Sequence, residues 1–127
     1  LNRPHPLDLN YITLYYEDFE EAVQFYSQLF GPPEVGQQSH ANGWRMGATW
    51  LTLFRAKAGP TPGANPCGTE FAVQVADPQD VDDLYRRMME LGAAEVMPPQ
   101  NTEMYEPMRF ACVDEPLGVR IDIYCRL

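Results

Sequence analysis

Two short stretches set a polar side chain beside aromatic ones on one strand face. In TWLTLFR (49–55), strand alternation puts Thr52 on one face with Trp50 and Phe54. In VRIDIYC (119–125), it puts Asp122 with Arg120 and Tyr124. A third stretch, LNYITLYY (9–16), shows Tyr11, Thr13 and Tyr15 on one face and Ile12, Leu14 and Tyr16 on the other. Rings at this density either line a surface for a planar or amphipathic small molecule or fill a sheet interior that has no ligand. Asp122 has a plain partner within reach in Arg120, two residues along the same face. Other chemistries lack their residues. There is no Gly-rich phosphate loop, nucleophile elbow or Ser/His/Asp arrangement. His40, in QQSHANG, reads as a solvated loop residue, and His5 sits between prolines. Arg45 and Arg109 suit an anionic substrate but are read as surface cations.

The totals narrow the partners. A chain of 127 residues is one domain by size, or two small modules sharing a core. A formal net charge of −9 argues against nucleic acid, whose phosphates need a basic face, and against anionic lipid surfaces. The three cysteines, Cys67, Cys112 and Cys125, have no metal-type spacing. Cys112 and Cys125 fall in strand-like runs and read as small apolar fillers, which suits a reducing cytosol. No apolar run approaches the roughly 18 residues that span a bilayer.

The elements that must position these side chains are written twice. YITLYYEDFEEAVQFYSQLFG (11–31) and EFAVQVADPQDVDDLYRRMMELG (70–92) are each an alternating strand, an Asp, an amphipathic helix and a Gly. Asp18 and Asp77 are 59 positions apart, as are Tyr26 and Tyr85. Asp18, with Glu21 three residues on, predicts a capping box at the first helix. The helix stripe is Phe19, Ala22, Val23, Tyr26, Leu29 and Phe30, closed by Gly31 and Pro32-Pro33. Glu34–Gln38 is a weak strand, Asn42-Gly43 a hairpin turn, and Trp44–Met46 and Thr49–Arg55 are strands. In the second copy Asp77 caps the helix with Pro78 in its first turn. Its core stripe is Val81, Leu84, Tyr85, Met88 and Leu91. Strands Glu95–Met97, Met108–Val113 and Val119–Cys125 follow. The organisation expected is an arm (1–8), a first module (9–57), a Gly/Pro-rich linker (58–68) and a second module (69–127).

Strand, helix and three strands, twice over, resembles the vicinal oxygen chelate superfamily of glyoxalases, bleomycin-resistance proteins and extradiol dioxygenases. YITLYYEDFEEAVQFYSQLFG is similar to the family's opening strand and helix, and WLTLF to its fourth strand. EFAVQVAD is similar to the strand that opens the second module, and DEPLGVRIDIY to the closing hairpin. The resemblance covers residues 9–125. It implies an α+β fold of two βαβββ modules forming a curved mixed sheet with the helices outside. It also implies a homodimer formed across open sheet edges.

In metal-dependent relatives four ligands come from four strands. The resemblance carries those positions onto Tyr11, Thr52, Glu70 and Asp122. Tyr11 and Glu70 are 59 apart, matching the repeat, and Thr52 and Asp122 hold the same place in LTLF and IDIY. Two hydroxyls and two carboxylates depart from the His/Glu pattern, so no full metal centre is expected. Glu70 and Asp122 alone suit weak Mg²⁺ or Mn²⁺. Brought together without an ion, one carboxylate would keep its proton and the pair would serve proton abstraction beside a carbonyl. The functional expectation is therefore a glyoxalase/bleomycin-resistance-like protein binding a small, partly aromatic molecule on Tyr11, Thr13, Tyr15, Trp50, Thr52, Phe54, Tyr124 and the rim residue Tyr105. The alternatives are an isomerase or lyase with Glu70 and Asp122 as catalytic residues, and a dimeric scaffold with no ligand.

Overall fold

The computed structural model describes residues 7–34, 41–56, 68–103 and 106–127. Its elements are β1 (Asp8–Tyr16), α1 (Phe19–Phe30), β2 (Ala41–Met46), β3 (Thr49–Arg55), β4 (Thr69–Gln74), α2 (Pro78–Glu90), β5 (Ala94–Thr102), β6 (Met108–Asp114) and β7 (Arg120–Arg126). The strands form one mixed sheet in the order β2-β3-β1-β4-β7-β6-β5. β1 runs parallel to β3, and the β2–β3, β5–β6 and β6–β7 pairs are antiparallel. This is the α+β class read from the sequence. Contacts group the chain into two units. One is Asn10–Glu70, and the other is Phe71–Leu127 with the segment through Leu9.

In the Asn10–Glu70 unit the period-2 pattern decides which face meets the helix. Leu14 and Tyr16 of β1 pack with Phe19, Ala22, Trp44 and Leu53, the last fully buried. Trp44 ties β2 to the helix end, because its indole N–H donates to the Gly31 carbonyl at 2.9 Å. Gly31, at φ +87°, stops α1 and donates its N–H to the Ser27 carbonyl at 2.8 Å.

Several expectations change here. Asp18 makes no side-chain cap, because its ψ of 62° leaves the extended conformation from which an N-cap carboxylate reaches back. Leu29 and Phe30 are 59% and 46% exposed, so the buried stripe of α1 rests on Phe19 and Ala22. Asn42-Gly43 lies inside β2, and the hairpin turns at Gly47-Ala48, where Gly47 takes φ +65°. Gly43 is needed for close approach instead. A Cβ there would meet Thr52 Cγ2 at 3.3 Å and Trp50 Cε3 at 3.4 Å. The Glu34–Gln38 strand, apart from Glu34, and the 58–68 linker, apart from Gly68, lie outside the described residues.

In the other unit α2 packs on β5, β6 and β7. Val75, Val81, Ala111, Ile123 and Cys125 form the core, with Leu7, Leu84, Tyr85 and Met88 against it. The capping box falls on this helix. Asp77 is extended, at φ −123° and ψ 149°, and its N–H donates to the Asp80 carboxylate at 3.3 Å. Leu91 is 63% exposed because it follows the last helical residue, outside the stripe. β5 is longer than expected and runs through Pro98-Pro99 to Thr102. Prolines are tolerated there because β5 is an edge strand, and its register shifts twice between Glu95 and Gln100. The β6–β7 hairpin closes as expected, with Glu115 N–H donating to the Val119 carbonyl at 2.9 Å.

Candidate functional site

The parallel pairing of β1 with β3 builds a ladder of like residues. Tyr11 is opposite Trp50, Thr13 opposite Thr52, and Tyr15 opposite Phe54. All six lie on the face turned away from Leu14 and Leu53, and so away from α1. A hydroxyl pair thus sits between two ring pairs. The Thr13 and Thr52 Oγ1 atoms share a hydrogen bond of 2.7 Å, and Thr13 is buried. The rings of Tyr15 and Phe54 stack with centroids 5.7 Å apart and planes 24° apart. The sequence pattern placed these six residues on one face correctly.

Glu70 is the second residue of β4, within the same unit, and is 8% exposed. Its Oε1 accepts a hydrogen bond of 2.5 Å from the Tyr15 phenol. The Tyr15 backbone N–H also donates to the Gly68 carbonyl at 2.9 Å, which sets the end of β1 beside the start of β4. The sequence reading singled out Tyr15 only for its ring. The hydroxyl–carboxylate pair joins residues 55 apart, and no local pattern announces it.

In the other unit Asp122 sits opposite Cys112 in the β6–β7 register. Both lie on the face away from the core residues Ile123 and Ala111. Cys112, read as an apolar filler, is therefore also a candidate donor. Tyr124 is buried, opposite Phe110. The Arg120 guanidinium forks onto Asp114, at 2.8 and 3.2 Å. Arg109 is likewise committed, bidentate on Asp82 at 2.6 and 2.9 Å. That guanidinium holds the Asp82 carboxyl below the usual carboxylate range. Cys125 is a poor nucleophile, because burial, followed by the nearby Asp77 and Asp80 carboxylates, raises its thiol pKa. A cavity of about 290 Å³ in this unit is lined by Asp8, Gln74, Val75, Ala76, Cys125 and Arg126. None of these was a candidate site residue in the sequence, where Cys125 reads as a small apolar filler. Tyr105 lies outside the described residues.

The metal positions implied by the resemblance are split between the units, with Tyr11, Thr52 and Glu70 in one and Asp122 in the other. Their chemistry does not fit a four-ligand centre. Tyr11 and Thr52 offer neutral hydroxyls, the Thr52 hydroxyl is engaged by Thr13, and Glu70 is engaged by Tyr15.

Solved structures define the class of fold. A glyoxalase/bleomycin resistance protein/dioxygenase superfamily member from Vibrio splendidus is 15% identical, with a TM-score of 0.67 over 94% of this chain and 99% of its own. A Mn(II)-bound glyoxalase from Novosphingobium aromaticivorans is 16% identical, with a TM-score of 0.70 over 93% of this chain and 38% of its own. A Legionella pneumophila protein described as an NAD-dependent benzaldehyde dehydrogenase is 19% identical, with a TM-score of 0.65 over 96% of this chain and 100% of its own. At these identities the likeness is one of fold. No curated protein matches the chain. The family model for the Glyoxalase/Bleomycin resistance protein/Dioxygenase superfamily matches residues 8–123, and the chain belongs to that superfamily.

Among the described residues, no helix is long and apolar enough to cross a membrane.

Proposed function

We propose that this chain is a glyoxalase/bleomycin-resistance-like protein that binds a small, partly aromatic organic molecule without a full metal centre. The observation that carries the reading is the Thr13–Thr52 hydroxyl pair, 2.7 Å across, at a strand position where the family resemblance implies a metal donor. The neighbouring rings of Tyr11, Tyr15, Trp50 and Phe54 are half-buried, so each keeps surface for a ligand. The test has two arms. Metal analysis of the purified protein should find no stoichiometric divalent ion. A thermal-shift panel of planar aromatic compounds should yield a ligand whose stabilisation is lost in Trp50→Ala. A stoichiometric ion, or a ligand that binds Trp50→Ala unchanged, removes the reading. It extends to a homodimer. The uncharged, exposed Phe25, Leu29 and Phe30 of α1 support self-association in a chain of net charge −9. A monomer by sedimentation at micromolar concentration ends that part.

A second reading is an isomerase or lyase in which Glu70 and Asp122 act on a carbon beside a carbonyl, with or without a weakly held Mg²⁺ or Mn²⁺. Cys112 opposite Asp122 favours it, because Glu70, Cys112 and Asp122 are described residues of metal-donor type. In this reading a Glu70 carboxylate oxygen takes the proton and returns it to the neighbouring carbon. Carbonyl compounds incubated with the protein in D₂O would then exchange the adjacent hydrogen, and Glu70→Gln would abolish that exchange.

A further inference from the structure

Glu70 is a buried carboxylate whose partner is a phenol. Burial of such a group demands a compensating charge or hydrogen bond. A divalent ion and an O–H donor are alternative ways to meet that demand, because both draw on the same lone pairs. In this chain the donor is Tyr15, whose hydroxyl lies 2.5 Å from Glu70 Oε1. Tyr15 does not hang on Glu70 alone. Its ring is stacked on Phe54, 5.7 Å away, and its N–H is bonded to Gly68 at 2.9 Å. The phenol therefore reaches Glu70 from a side chain already held at its ring and its backbone. The next pair along the β1–β3 ladder follows the same logic, since the Thr52 hydroxyl that would have faced an ion is closed by Thr13.

We propose that Tyr15 is a specificity-determining residue that stands in for a cation at Glu70, its phenol O–H occupying the carboxylate and excluding divalent metal ions from it. This deepens the metal-free reading above and rests on it. An ion that binds Glu70 must first break the phenol–carboxylate bond. One hydrogen bond to a charged group corresponds to a cost of about tenfold or more in affinity.

Mn²⁺ alone is the probe, followed by the loss of the free-ion signal in electron paramagnetic resonance. Tyr15→Phe keeps the ring on Phe54 and deletes the donor. It should bind Mn²⁺ at least about tenfold more tightly than the unaltered protein. The gain should vanish in the double variant Tyr15→Phe/Glu70→Gln, which shows that the ion sits on Glu70. Equal affinities, including no measurable binding by either protein, overturn the proposal. So does weaker binding by Tyr15→Phe, or a gain that survives Glu70→Gln. Circular dichroism checks folding, and Tyr15→Leu carries the same expectation should Tyr15→Phe fail to fold. A stoichiometric ion in the unaltered protein as purified sinks the metal-free reading instead, so the two failures are told apart.

Discussion

The Thr13–Thr52 pair isolates what a single hydroxyl does in this protein. Each oxygen is the other's partner at 2.7 Å. Thr13→Val keeps the shape of the side chain but leaves the Thr52 hydroxyl facing a methyl group. We expect a loss of about 1 kcal/mol in chemical denaturation, the usual net worth of one hydrogen bond. Thr13→Val/Thr52→Val removes both partners and should cost less than the sum of the two single changes. A double variant that costs the full sum would show that the hydroxyls do not act as a pair. At this scale the alternation of YITLYY and TWLTLFR was enough to place all six ladder residues on one face. The partners were not legible. Thr13 meets Thr52 across 39 positions and Tyr15 meets Glu70 across 55, and hydrogen bonds of that separation leave no local trace.

At the scale of elements, the two helices look alike in sequence and begin differently. Asp18 and Asp77 both precede an amphipathic run, yet only Asp77 has the extended backbone that allows capping. Asp77→Ala should therefore lower stability by about 1 kcal/mol, whereas Asp18→Ala should change it by only a few tenths. Thermal melts of the two variants, compared directly, check this, and equal losses would refute it. The stripes of both helices were readable in their centres and misread at Leu29, Phe30 and Leu91, which are exposed. Periodicity marks the face a residue shares, but it does not mark where the neighbouring strand or the helix itself ends. β5 makes the same point. The strand was expected over Glu95–Met97, and it continues through Pro98-Pro99 because an edge position asks less of a backbone N–H.

At the scale of the whole molecule, the pH dependence of stability follows from how the charges are tied down. Arg109 holds the Asp82 carboxyl below its ordinary range while linking α2 to β6. A carboxyl whose pKa is lowered on folding contributes stability that is present above its unfolded value of about 3.9. That stability is lost as the pH falls through the lowered, folded value. Denaturation of Asp82→Asn at neutral pH and at about pH 3 should show a smaller loss on acidification than the unaltered protein shows. Identical losses would remove Asp82 from the account.

The sequence by itself determined the α+β class, the repeated strand–helix unit, the superfamily and the side of β1 and β3 that faces away from the helix. All of these depend on alternation, helical spacing and turn residues, which are short-range properties of a chain. Only the tertiary structure decided which donors are spent. It committed Arg120 to Asp114 and Arg109 to Asp82, closed Thr52 with Thr13, and set the Tyr15 phenol on Glu70. Those choices belong to strand register, which brings distant residues side by side and is not written in any one stretch of the chain.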